Sequence, residues 1–143
     1  MKQVVLKSGK NFISFVCLFL FSLSCDKIEY PIPDVPVSYI INLNIANDLT
    51  VPGNSMYFGN AGFGGLIVYC EVPGTWYAFD AACTYEASAS CIVKNEGVLA
   101  DCPCCKSQFV LLSGAYPAKS PASLPLKQYN VSMVNNFTLR IYN

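Results

Sequence analysis

Residues 81–90 read AACTYEASAS and residues 101–109 read DCPCCKSQF. Each stretch sets cysteine into a short, turn-forming sequence. Cys102 and Cys105 stand in a Cys-x-x-Cys spacing, common to metal sites and redox dithiols. The usual nitrogen ligand is missing, because the chain has no histidine among its 143 residues. Whatever these two loops do, they do it with sulfur.

The sequence around them reads as strands. GGLIVYCEV (64–72) is a short apolar run, PGT (73–75) a tight turn, and TWYAFDAA (75–82) an aromatic-rich strand leading into the first loop. SQFVLLSG (107–114) continues from the second loop, and LKQYNVSMVNNFTLRIYN (126–143) supplies two more strands with a turn expected at Asn135-Asn136. Upstream, VSYIINLNI (37–45) alternates, with Val37, Tyr39, Ile41, Leu43 and Ile45 on one face. NDLTVPGNS (47–55) reads as a turn-rich connection, and GNAGFGG (59–65) as a flexible glycine cluster. No long amphipathic helical period occurs. The class is all-β: a small antiparallel sandwich or barrel with both cysteine loops at one end.

From Gly64 onward the chain resembles the Rieske-type domains. That family shows an apolar strand, a strand ending in Cys-Thr-His, and a hairpin of fifteen or more residues. Cys-Pro-x-His-Gly-Ser-x-Phe, a Gly, a Gly-Pro-Ala-like turn and Pro-Leu-x-x-Tyr-x-Val follow. Cys83-Thr84, Cys102-Pro103-Cys104, Ser107, Phe109, Gly114, Pro121-Ala122, Pro125-Leu126, Tyr129 and Val131 match in order. The departures fall on the cluster ligands. The two histidine positions hold Tyr85 and Cys105, and the glycine after the second holds Lys106. The resemblance implies an electron-transfer fold in which one iron takes two cysteines and the other two histidines. A histidine-ligated cluster is chemically excluded here.

Three readings of the loops follow. In the first, thiolates hold a metal: Cys83, Cys102 and Cys105, with Cys91 or Tyr85 as fourth ligand, for a 2Fe–2S cluster or zinc. In the second, the resemblance implies a supporting disulfide between Cys104 and Cys91, with Cys83 bonded to Cys102 or Cys105. In the third, Cys102 and Cys105 form a redox dithiol. The second reading makes the domain a non-catalytic structural or interaction module without cofactor, and it is the favoured expectation. Cys70 alternates with Leu66 and Val68 and reads as a buried thiol. No serine has a histidine to activate it and no carboxylate pair stands out, so the chain does not read as an enzyme.

The N-terminus indicates where this chemistry takes place. Lys2, Lys7 and Lys10 precede an apolar run from Phe12 to Leu23, ending in FSLSC at Cys25. Residues 1–24 read as a signal peptide and Cys25 as a lipidation site, placing the protein on a bacterial envelope membrane, the outer membrane by expectation. Residues 25–36, with Pro31, Pro33 and Pro36, read as a proline-rich tether, and 37–143 as the folded domain. The part after residue 24 keeps six basic and nine acidic residues, a net of about −3, with no basic patch for nucleic acid. The envelope is oxidising, so cysteines there pair unless a metal holds them.

Overall fold

The computed structural model describes residues 29–143; the stretch read as a signal peptide, residues 1–24, and Cys25 lie outside the described residues. Among the described residues there are ten strands and one 3₁₀ turn, Asn47–Thr50. The strands are β1 (Ser38–Asn42), β2 (Ser55–Phe58), β3 (Leu66–Val72), β4 (Thr75–Asp80), β5 (Lys94–Glu96), β6 (Leu99–Asp101), β7 (Gln108–Val110), β8 (Tyr116–Lys119), β9 (Gln128–Asn135) and β10 (Thr138–Tyr142). A six-stranded sheet runs β1-β10-β9-β4-β3-β2 and a four-stranded sheet runs β5-β6-β7-β8. Every strand pair is antiparallel.

The apolar run LIVYC explains the layering. Leu66 to Cys70 are all buried, because β3 has a core on each face. Ile67 and Tyr69 point toward Phe79, Phe109, Leu111 and Leu126, between the two sheets. Leu66 and Val68 point the other way, toward Ile41, Leu49, Leu139 and Ile141. Cys70 is fully buried and unpaired, and burial raises its thiol pKa.

Three local expectations change. The alternation in 37–45 stops at Asn42, where a turn donates Ile45 N–H and Ala46 N–H to the Asn42 carbonyl. Ile45 therefore faces solvent, 83% exposed, while Ile41 and Leu43 stay inside. The last turn is Asn136-Phe137, one residue later than expected: Asn135 pairs with Thr138, and the Asn135 carboxamide accepts from Phe137 N–H at 3.0 Å. The glycine cluster 59–65 is pinned, since Phe63 N–H and Gly64 N–H both donate to the Asp80 carboxylate.

Part of the stretch read as tether lies against the domain. Ile32 is buried, and Lys127 Nζ reaches Asp34 at 2.8 Å. Asn143 accepts from Val37 N–H and donates to the Val35 carbonyl. Packing thus begins at Ile32, five residues ahead of Val37.

Candidate functional site

β4 delivers its last residue, Asp80, to one end of the molecule, and the first cysteine loop starts there. Val93 N–H donates to the Ala81 carbonyl and Cys83 N–H to the Cys91 carbonyl, so the loop closes on itself. The β5–β6 hairpin then carries the chain out and back and opens the second loop at Cys102. Lys106 N–H donates to the Cys102 carbonyl, and Cys102 N–H to the Ser107 carbonyl. Lys106 adopts φ +66°, the left-handed conformation that a glycine takes most easily. A third segment, after β8, closes the end. Ser107 Oγ accepts from Ala122 N–H, and Thr84 Oγ1 donates to the Leu124 carbonyl, both at 2.8 Å.

The two loops meet through sulfur. Cys91 and Cys104 form a disulfide that ties the first loop to the second. Cys83, Cys102 and Cys105 are free thiols, and their sulfurs all lie within 4.8 Å of one another. Cys83 Sγ is 3.6 Å from Cys105 Sγ. The expected second bridge, from Cys83 to Cys102 or Cys105, is therefore not made: these sulfurs converge on a common point at van der Waals separation. Cys91 is committed to its disulfide and offers no thiolate as a fourth ligand. Tyr85 is 56% exposed at the edge of the first loop.

The three thiols differ in environment. Cys83 is fully buried, and burial pushes its pKa up to about 12 against the opposing N–H donors of Tyr85 and Glu86. Cys105 is only partly buried. Burial raises its pKa, but the Ser107 hydroxyl, 3.1 Å from its sulfur, the Ser107 N–H and the neighbouring thiols outweigh that and hold it below the ordinary thiol value. Cys102 is buried beside the disulfide, its Sγ 3.5 Å from Cys91 Sγ.

Sequence reading missed the support beneath this site. Asp80 is fully buried, and its carboxylate accepts from four donors: Phe63 N–H, Gly64 N–H, Ala82 N–H and the Tyr129 hydroxyl. It joins the glycine cluster, the first cysteine loop and β9. The available signal was an acidic residue ending an otherwise apolar strand. A buried carboxylate needs such partners, which glycine-rich backbone supplies.

No protein-family model matches the chain, and no curated protein matches it by sequence. Among solved structures, a chain from the complex of reduced oxygenase and oxidized ferredoxin in carbazole 1,9a-dioxygenase aligns over 74% of this chain and 93% of its own, with 21% identity and a TM-score of 0.51. The ferredoxin of carbazole 1,9a-dioxygenase from Nocardioides aromaticivorans IC177 aligns over 76% and 98%, with 21% identity and a TM-score of 0.48. The fold is Rieske-like. The donor set does not fit the cluster of that fold. No imidazole exists, and three thiols fall one short of the four ligands that two irons require.

Proposed function

We propose that this Rieske-like domain is a metal-binding module that holds one thiophilic ion on Cys83, Cys102 and Cys105, with zinc as the best-suited ion. The convergence of three free sulfurs within 4.8 Å carries the proposal. A tetrahedral ion with Zn–S bonds of about 2.3 Å requires sulfurs roughly 3.8 Å apart. Cys83 and Cys105 stand at 3.6 Å, so the site accepts the ion with little rearrangement. A bound cation also reverses the cost of ionising buried Cys83, since it binds the thiolate. Cys105 is only half-buried and Tyr85 is exposed, so we take water or the Tyr85 phenol as the fourth ligand.

Location supports the same reading. We place the domain on a bacterial envelope membrane through a lipidated Cys25, motivated by FSLSC after the basic head and apolar run. Three neighbouring thiols in an oxidising compartment stay reduced when a metal occupies them. The protein is then a binding module rather than an enzyme. Its fold neighbours include a ferredoxin, and an electron-transfer role would need iron in place of zinc.

Titration of the full chain with Co²⁺ tests the proposal. Sulfur-to-cobalt charge-transfer absorption saturating at one ion per chain is expected, and Zn²⁺ should displace it. Cys83→Ser, Cys102→Ser or Cys105→Ser should each weaken binding at least tenfold, while Cys70→Ser leaves it unchanged. Absence of the band, or its survival in all three site variants, refutes the site.

A further inference from the structure

Cys102 belongs to two sulfur triads. One is Cys83, Cys102 and Cys105; the other is Cys91, Cys102 and Cys104, and each has its sulfurs within 4.8 Å of one another. Cys102 Sγ lies 3.5 Å from Cys91 Sγ, so a free thiol sits beside a disulfide in the same buried pocket. Cys91 and Cys102 are both buried, whereas Cys104 is exposed.

We propose that the Cys91–Cys104 bridge is exchangeable and that Cys102 is its internal nucleophile. The Cys102 thiolate attacks Cys91 Sγ. A Cys91–Cys102 bond forms, the Cys91–Cys104 bond breaks, and the electron pair leaves with Cys104 sulfur. The proton lost by Cys102 is balanced by one taken up at Cys104. Between the two loops one disulfide and three thiols exist before and after, so no external oxidant or reductant enters. In-line attack requires the Cys102 sulfur to swing to the side of Cys91 Sγ opposite Cys104, from a starting separation of 3.5 Å at the junction of the two loops. The outcome is a buried bridge and a solvent-facing Cys104 thiol, positioned to exchange with disulfides of other molecules.

The exchange stands on the sulfur geometry alone. Its coupling to metal rests on the metal-site reading above. Cys102 cannot bind an ion and a disulfide partner together, so metal occupancy fixes the Cys91–Cys104 isomer and metal loss releases Cys104. The full chain is incubated near neutral pH with and without one equivalent of Zn²⁺, trapped with N-ethylmaleimide, and its bridges mapped by mass spectrometry. The metal-free protein should contain both Cys91–Cys104 and Cys91–Cys102 isomers, the second with Cys104 alkylated. The Cys104→Ser variant should carry Cys91–Cys102 as its bridge and serves as the reference. Zn²⁺ should lower the Cys91–Cys102 fraction severalfold. Only Cys91–Cys104 in the wild type, or unbridged Cys91 and Cys102 in Cys104→Ser, overturns the exchange. Exchange that proceeds unaltered by Zn²⁺ upholds the relay and overturns its coupling to the metal site.

Discussion

Lys106 is where this sequence departs most visibly from what its backbone favours. Its φ of +66° closes the second cysteine loop, and a side chain there costs roughly 1 kcal/mol or more. Its ammonium donates to the Pro103 carbonyl at 2.9 Å, an exposed contact that offsets little of this. Lys106→Gly is expected to raise stability by about 0.5–1 kcal/mol in urea unfolding; a loss of stability would show that the lysine contact outweighs the backbone. Tyr129 gives a second test at this scale. Burial, then its hydrogen bond to Asp80 and that carboxylate's charge, push the Tyr129 phenol above its ordinary 10.0. A phenol raised in the folded state stabilises fully below pH 10 and loses that contribution as pH climbs toward the folded value. Wild type should therefore lose stability relative to Tyr129→Phe as pH rises from about 10 to about 11. A constant difference across that range would place the phenol outside the Asp80 network.

At the scale of elements, the strands that were legible in the sequence were those with a strong apolar period or run. β3 buries a five-residue run, β4 buries its last three residues and β10 buries Leu139 and Ile141 in alternation, whereas β9 buries only Tyr129; burial is what periodicity reports. β5 and β6 were not legible. KNE and LAD are three residues each, joined by a turn through Gly97 at φ +57°, and only Ala100 among them is fully buried. Such strands exist through tertiary pairing with β7, not through local preference. β2 was hidden for a similar reason, as none of its residues is fully buried. The cysteine loops were legible as neighbours through the resemblance to Rieske-type domains, not through periodicity. What spacing left undecided was which sulfurs bond and which merely meet. That depends on side-chain separations of an ångström or two. The Asp80 hub went unseen because its partners are backbone N–H groups without a sequence signature. Gly64 tests it: a Cβ there would lie 2.6 Å from Ala82 N, at the root of the first cysteine loop. Gly64→Ala should cost about 1–3 kcal/mol and expose Cys83 to thiol reagents. An unchanged stability and an unreactive Cys83 would mean that the loop does not lean on the glycine cluster.

Across the whole molecule, two sheets and a docked N-terminal segment build a base, and among the described residues the five cysteines outside β3 gather at one end of it. The disulfide ties the two loops together, adding on the order of 2–4 kcal/mol for a short closed loop. The remaining three thiols converge within 4.8 Å of one another, close enough together to hold a metal ion. Residues 25–143 carry about three net negative charges, a balance that suits a cationic ligand. Mass spectrometry of the exported N-terminus should find Cys25 acylated; an unmodified terminus cut elsewhere would detach the domain from the membrane. The metal is decided most directly by zinc-edge X-ray absorption on the full chain loaded with one equivalent of Zn²⁺. Three sulfurs at about 2.3 Å from the ion, with one lighter neighbour, are predicted. A zinc shell of oxygen or nitrogen alone, or protein that fails to retain the ion, would contradict a three-thiolate site.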